Sequence, residues 1–311
     1  MPADAHSTER REIIRPSTSE DARALSDLFR DAFGAERDEA IWRWKLFENP
    51  RGAASYVCEA EGRLVAHCAG LPVRFADYGK EYQALQSVDF MSSPGYPGGI
   101  GRGGVFVRTA HAFFKAHCGP TAIPLVYGFP GERHRLLGEK LLGYRSIERV
   151  GELVLAPAGH DGESQELLPE HLKLIGQLPI EFGAIRDEVY LRWRYLEHPL
   201  YRYRLVQARR PFHVHPRIGA IVREGEEALY VMEIGGSFSR PSLSALVQVL
   251  ARFGKPAIFW CSPLHPIARI LQSCGFEARQ RDHSVECRFF TQHELPRPGE
   301  LYYTLGDYDV Q

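Results

Sequence analysis

Residues 82–117 read YQALQSVDFMSSPGYPGGIGRGGVFVRTAHAFFKAH, and the fold turns on how this stretch is read. From Tyr82 to Met91 the residues alternate as in a strand with one buried face. Gly98, Gly99, Gly101, Gly103 and Gly104 then crowd into the next turn, with Ile100 and Arg102 between them. From Gly103 to His117, Phe106, Ala110, Phe113 and Phe114 recur at helical spacing. A turn that feeds straight into a helix offers unpaired backbone N–H groups and partial positive charge. Glycine lets the main chain approach an anion without a Cβ clash, and Arg102 adds a charge-assisted donor. Taken alone, the turn reads more readily as a flexible, solvent-exposed glycine loop. Between a strand and an amphipathic helix it predicts a diphosphate site.

Upstream, Ile13–Arg15 reads as a short strand, and Thr18 with Asp21 marks a helix start. Ala22, Leu25, Leu28, Phe29 and Ala32 form one apolar stripe, closed by Gly34. Trp42–Phe47 is a short helix stopped by Asn49-Pro50. Strands follow at Ala54–Glu59 and Arg63–Phe75, joined by a Glu61-Gly62 hairpin turn. Downstream of residue 117 come a strand at Ile123–Tyr127 and a helix at Glu132–Leu142.

The chain also repeats itself. RWKLFENP at 43–50 recurs as RWRYLEHP at 192–199, and LLGEKLLGYRS at 136–146 resembles IARILQSCGFEA at 267–278. The second half reads as strands near Tyr203–Ala208, Ile218–Arg223 and Ala228–Ile234, a helix at Leu243–Phe253, a strand at Ala257–Trp260, a helix at Pro266–Ser273, and strands near Ala278–Asp282 and Val285–Phe290. The expected organisation is a disordered N-terminus over 1–10, a domain over 11–155, a connector over 156–188 rich in Gly, Pro and Glu, and a second domain over 189–311. The element order is that of an α+β protein with mixed, mostly antiparallel sheets flanked by helices.

Composition excludes several functions. With 44% hydrophobic and 25% charged residues the chain is of the ordinary folded class. A net charge of -1 provides no global attraction to nucleic acid or an anionic membrane. No apolar stretch approaches the roughly 20 residues of a membrane span, and residues 1–12 lack the apolar core of a signal peptide. The cysteines Cys58, Cys68, Cys118, Cys261, Cys274 and Cys287 form no C-x-x-C pair, which argues against a zinc site or disulfide framework and for a cytoplasmic address. His213 and His215 lack a suitably spaced third ligand and read as a solvated strand end. No metal is expected.

Three motifs in this order resemble the GNAT acyltransferase superfamily. Ser93–Phe106 is similar to its pyrophosphate loop, Tyr127-Gly128-Phe129-Pro130-Gly131 to the Tyr-Gly-Phe-Pro-Asn segment of one branch, and Lys140-Leu141-Leu142-Gly143-Tyr144 to its Lys-Leu-Gly-Phe signature. The resemblance covers most of 11–150 and weakly 190–290. It implies tandem GNAT-like domains, the second degenerate because Gly235–Pro241 lacks the repeated glycines. It departs from the family at Tyr96 and Pro97, where Arg or Gln and then Arg are usual.

The resemblance also implies chemistry: transfer of an acyl group, most simply acetyl, from acyl-CoA to an amine. CoA would be held by Gly98, Gly99, Ile100, Gly101, Arg102, Gly103 and Gly104, with Phe129 nearby. A backbone donor for the oxyanion is expected near Phe90, Met91 and Ser92. Asp89 is the first candidate general base, with a solvent-facing or Arg-paired carboxylate as the alternative. The family's frequent acid, a Tyr, is replaced by Glu139. Tyr127 is a substitute acid or a packed aromatic, and His134 and Glu132 are either cleft-facing or structural. Trp44, Trp193, Pro50 and Pro199 read as packing anchors, with Arg43 and Arg192 fixing neighbouring carboxylates.

The expected acceptor is a small-molecule amine, in a cleft walled by the C-terminal half, with no nucleic acid or membrane partner and a monomer or homodimer as the assembly. A CoA-binding regulatory protein without catalysis and an aminoacyl transferase of the peptidoglycan-bridge type are the competing functions.

Overall fold

Two hairpin turns show local chemistry setting the frame. Glu61-Gly62 and Tyr78-Gly79 both have positive φ at each central residue (53° and 74°, 47° and 89°), the geometry whose twist matches paired strands. The first is the turn expected from the sequence. The structure is a computed structural model that describes residues 11–96, 101–208 and 218–308. The chain forms two compact units: 1–71 with 87–122, and 72–86 with 123–311.

The first unit begins with β1 (Glu12–Pro16), which pairs antiparallel with β2 (Ala54–Ala60), and β2 pairs antiparallel with β3 (Arg63–Asp77). Helix α1 (Ala22–Phe33) starts where expected, because the Asp21 carboxylate accepts from the Thr18 N–H at 2.8 Å. Arg15 donates to that same carboxylate at 2.8 Å. Gly34, at φ 71°, ends the helix. Helix α2 (Glu39–Trp42) is capped by Asp38, which accepts from Ala40 N at 2.8 Å, and runs on as a π-helical turn over Arg43–Phe47. Strand β4 (Lys80–Ser92) leads to α3 (Val105–His117), which packs on β2.

In the second unit, β5 (Leu125–Gly128) is followed by α4 (Glu132–Leu137), which continues as a π-turn over Gly138–Leu142, and by β6 (Arg145–Leu155). The chain then passes through β7 (Gln165–Glu166), α5 (Leu172–Ile175), β8 (Phe182–Ala184) and α6 (Glu188–Leu191) with its π-turn Arg192–Leu196. Next come β9 (Arg204–Ala208), β10 (Ile218–Glu224), β11 (Leu229–Gly236), α7 (Arg240–Leu250), β12 (Ala257–Trp260), α8 (Pro266–Ser273) and β13 (Phe276–Phe289). The strand order here is β4-β5-β13-β6-β12-β11-β10-β9-β7, with β4–β5 and β11–β12 parallel and the other pairs antiparallel. The protein is therefore α+β, with mostly antiparallel strands flanked by helices. Leu243, Leu246 and Leu250 of α7 and Ile267 and Leu271 of α8 pack over Val206, Ala220, Val231 and Phe259 in the core of this unit.

Several expectations change. Ala278–Asp282 and Val285–Phe290 belong to one strand, β13, whose pairing with β6 is irregular between Gln280 and Ser284. β13 lies between β5 and β6, so strands that precede and follow residue 155 interleave in one unit. Residues 156–188 hold β7, α5 and β8. No helix among the described residues is long and apolar enough to cross a membrane.

The motif shared by 43–50 and 192–199 folds alike in both places. Each copy is a capped turn of helix followed by a π-turn, with Trp44 and Trp193 buried and Lys45 and Arg194 buried beside them. Arg43 meets Glu39 at 3.8 Å and Arg192 meets Glu188 at 3.5 Å, both at exposed positions.

Candidate functional site

Near the end of β4 the backbone leaves strand geometry: Asp89 sits at φ 51°, in the left-handed region that Asp tolerates better than most residues. Its side chain is 5% exposed, and both carboxylate oxygens are taken. Arg37 Nη1 donates to Oδ1 at 2.6 Å and Lys45 Nζ to Oδ2 at 2.7 Å. Burial alone would raise the Asp89 pKa, but the charges of Arg37 and Lys45 outweigh it and hold the carboxyl well below the usual range. Arg37 itself stacks over Phe29 at 4.0 Å and Trp42 at 5.1 Å.

The Asp89 carbonyl is anchored as well. A carbonyl only accepts, so His67 Nδ1 carries the proton and donates to it at 2.9 Å. Nε2 is then the acceptor for the Ser55 hydroxyl at 2.9 Å, and Ser17 donates to Ser55 at 2.6 Å. Burial pushes the His67 pKa down to about 4, so the ring is neutral and this tautomer is stable at neutral pH. Beyond it, the Phe90 ring packs against Phe106, Phe113 and Phe114 of α3 at 6.5, 5.7 and 6.2 Å. Met91 is buried and Ser92 half-buried.

The turn is tied down ahead of its glycines. Ser93 N donates to Val65 O at 2.9 Å, and buried Tyr96 donates its hydroxyl to Glu12 at 2.8 Å. Gly98, Gly99 and Ile100, with Pro97, lie outside the described residues, as do His213 and His215. Gly101, Arg102 and Gly103 are exposed, and Gly104, which has no side chain of its own to cap the helix, is the N-cap of α3. A Cβ added at Gly101 or Gly103 would meet nothing within 4 Å, and neither has positive φ. The fold itself therefore does not require glycine at either position. A ligand resting on this main chain would.

The other candidates lie in the second unit. Tyr127 is 1% exposed, its hydroxyl donating to Asp307 at 3.4 Å, and burial raises its pKa well above the usual value. Phe129 is half-buried between the rings of Tyr127 and Tyr303, at 6.1 and 5.5 Å. His134 is half-buried on α4. Glu132 and Glu139 both bind Arg135, at 2.7 and 2.8 Å, and Glu139 also accepts from Ser146 at 2.7 Å, which lowers its pKa. Among the described residues no group of three or more His, Cys, Asp and Glu is placed to hold a metal ion.

Beside Glu139 lies a carboxyl that sequence reading passed over. Glu286 of β13 is 2% exposed and receives the Ser146 hydroxyl at 3.2 Å. Burial, with Glu139 and Glu132 adding repulsion and Arg135 relieving some of it, pushes its pKa up to about 8. A carboxyl whose folded pKa is raised loses stability as pH climbs from its unfolded value to its folded one. Glu286→Gln is therefore expected to leave Tm unchanged at pH 4 and raise it at pH 8, by about 2–4 °C per kcal/mol relieved. Melting curves at the two pH values check this.

Residues 13–132 match the family model described as acetyltransferase (GNAT) domain. This segment of the chain is similar to a GNAT domain. No curated protein matches the chain by sequence. Among solved structures, a conserved protein of Enterococcus faecalis V583 described as a probable N-acyltransferase has a TM-score of 0.64 at 14% identity, over 90% of this chain and 72% of the other. A GCN5-related N-acetyltransferase from Anabaena variabilis ATCC 29413 has a TM-score of 0.61 at 14% identity, over 90% and 73%. One from Kribbella flavida has a TM-score of 0.61 at 10% identity, over 90% and 71%. At these identities the likeness is one of fold.

The GNAT segment includes Asp89, the glycine turn, α3, Tyr127 and Phe129; His134 and Glu139 lie beyond it. Its buried ion pair has a counterpart in the second unit, where Arg186 donates to Glu233 of β11 at 2.8 Å, both side chains 1% exposed. Arg37 and Arg186 each immediately precede an N-cap, Asp38 and Asp187. The signal was readable: the repeat extends upstream, FGAERDE at 33–39 against FGAIRDE at 182–188. In the second unit, however, the end of β11 is filled by protein. A Cβ at Gly235 would lie 2.3 Å from the main chain of Ile175 in α5.

Proposed function

We propose that this protein is an acyl-CoA-dependent N-acyltransferase, most simply an acetyltransferase, acting on an amine of a small molecule. The observation that carries the reading is the turn ahead of α3, inside the GNAT segment. There, Gly101 and Gly103, where a Cβ would meet nothing within 4 Å, stand just ahead of a helix whose N-cap is Gly104. Gly101–Gly104 with the first N–H groups of α3 would hold the diphosphate, and Arg102 would add a charged donor. The bound coenzyme supplies an acyl thioester, open to attack by an amine with loss of the thiolate. The backbone at Phe90–Ser92 supplies donors for the oxyanion, already fixed before the reaction begins. One coenzyme site per chain fits the filled end of β11.

Titration calorimetry with acetyl-CoA is expected to saturate near one equivalent. Gly103→Ala is expected to leave Tm unchanged, because its Cβ has space, and to weaken binding about tenfold, the equivalent of 1.4 kcal/mol. Absence of binding at millimolar acetyl-CoA would overturn the reading.

A CoA-binding protein without turnover is the second reading. Two observations favour it: both Asp89 oxygens are engaged in ion pairs, and the Tyr127 hydroxyl is buried. A panel of primary amines assayed for thiol release separates the two, since the second reading requires binding with no release.

A further inference from the structure

We propose that Asp89 is a positioning residue for acyl transfer. The buried Arg37–Asp89–Lys45 group and His67 together aim the Phe90 N–H as a donor to the thioester oxygen. The inference rests on the acyltransferase reading and assigns that donor its supports.

In a trans peptide the C=O of one residue and the N–H of the next point in opposite directions. The Asp89 carbonyl is held by His67 Nδ1–H at 2.9 Å, so the Phe90 N–H is directed away from His67. Rotating this plane would break a hydrogen bond at the end of the buried chain Ser17–Ser55–His67. The Asp89 side chain is fixed by two ion pairs at 2.6 and 2.7 Å. The Phe90 ring is seated among three Phe residues of α3.

A left-handed residue inside a strand costs energy and persists only where its surroundings over-determine it. Here they do, from both the side chain and the main chain. Such a peptide can stabilise developing charge without reorganising, which is what an oxyanion donor requires. The roles of Arg37, Lys45 and His67 are thus to hold Asp89, and Asp89 acts through the peptide it shares with Phe90. No proton transfer to the Asp89 carboxylate is involved.

The test reads the thioester directly and needs no acceptor. The infrared C=O stretch of acetyl-CoA, carbon-13-labelled at the acetyl carbonyl, is expected to move to lower wavenumber on binding the wild-type protein. In Asp89→Asn, acetyl-CoA is expected to bind with its Kd unchanged while most of that displacement disappears. A role confined to folding would weaken both together. The triple variant Arg37→Leu, Lys45→Met, Asp89→Asn leaves no orphan charge and serves if Asp89→Asn fails to fold; it is expected to show the same loss. A wild-type displacement retained in either variant would overturn the proposal. If wild-type protein does not bind acetyl-CoA at all, the acyltransferase reading itself fails. Binding without any band displacement in the wild type would overturn only the donor assignment.

Discussion

Asp89→Ala is expected to destabilise the protein by about 3–5 kcal/mol, the usual consequence of removing one partner from a buried ion pair. Arg37 and Lys45, 5% and 1% exposed, would be left without their shared carboxylate. Ala is also a poor occupant of the left-handed region, which adds about 1–2 kcal/mol of backbone strain.

The variant should change the pH dependence as well as the stability. A carboxyl whose folded pKa is depressed contributes stability that is present above its unfolded value and lost as pH falls through that range. Wild-type protein should therefore lose stability below about pH 4, the ordinary Asp range, and Asp89→Ala should lack that part of the slope. Neutralising the whole group by Arg37→Leu, Lys45→Met, Asp89→Asn should recover most of the loss, because replacing a buried ionic set costs far less than breaking it. Urea unfolding of the three proteins at pH 7 and pH 3 checks each statement. An Asp89→Ala protein as stable as wild type at pH 7 would show that water reaches the group.

Arg186→Met should be at least as damaging to the second unit. Arg186 donates to Glu233 at 2.8 Å, to the Ala184 carbonyl at 2.9 Å and to Thr304 Oγ1 at 3.2 Å, and it also holds Asp307. Asp307 in turn accepts from Thr304 N at 2.9 Å and its carbonyl receives Gln86. One guanidinium thus ties β11, the segment before α6 and the 3-10 turn Leu305–Asp307 with its N-cap Thr304, where Thr304 and Asp307 are fully buried. Glu233 Oε2 already has no hydrogen-bond partner, and burial raises the Glu233 pKa.

Without the arginine, two carboxyls would be buried with no cation beside them, a loss of about 3–5 kcal/mol at pH 7. Such carboxyls keep their protons to higher pH, so the sign is opposite to that at Asp89. The Arg186→Met protein should grow more stable relative to wild type as pH is lowered from 7 to 5. Adding Glu233→Gln should recover part of the loss at pH 7. Thermal unfolding at both pH values is the measurement, and a variant melting with wild-type Tm at pH 7 would overturn the account.

The paired networks also bear on how Asp89 is read. The strand before the glycine turn made it a reasonable base, because sequence reports a carboxylate's position but not its partners. Those partners come from residues 37 and 45, on the far side of a hairpin. Their importance is visible only in the second copy, where Arg186 precedes its N-cap in the same way and meets Glu233 in a region with no glycine turn. The pairing of an arginine before an N-cap with a strand carboxylate therefore belongs to the repeated frame, and what the first copy adds is the left-handed Asp89 and the His67 bond to its carbonyl. Glu286 was missed for a related reason: its neighbours Ser146 and Glu139 are distant in sequence, and only β13 pairing with β6 brings them together.

Local chemistry determined the elements. Asp21 and Asp38 cap helices, Glu61-Gly62 and Tyr78-Gly79 turn hairpins, and the spacing of Phe106, Ala110 and Phe113 makes α3, because each depends on residues within a few positions. The α+β class, the repeat and the glycine turn ahead of α3 were legible for that reason. The insertion of β13 between β5 and β6, the burial of 304–307 and the partners of Asp89 were not. They depend on pairings between residues far apart along the chain, where hydrophobic patterning says that a strand will be covered but not by which segment.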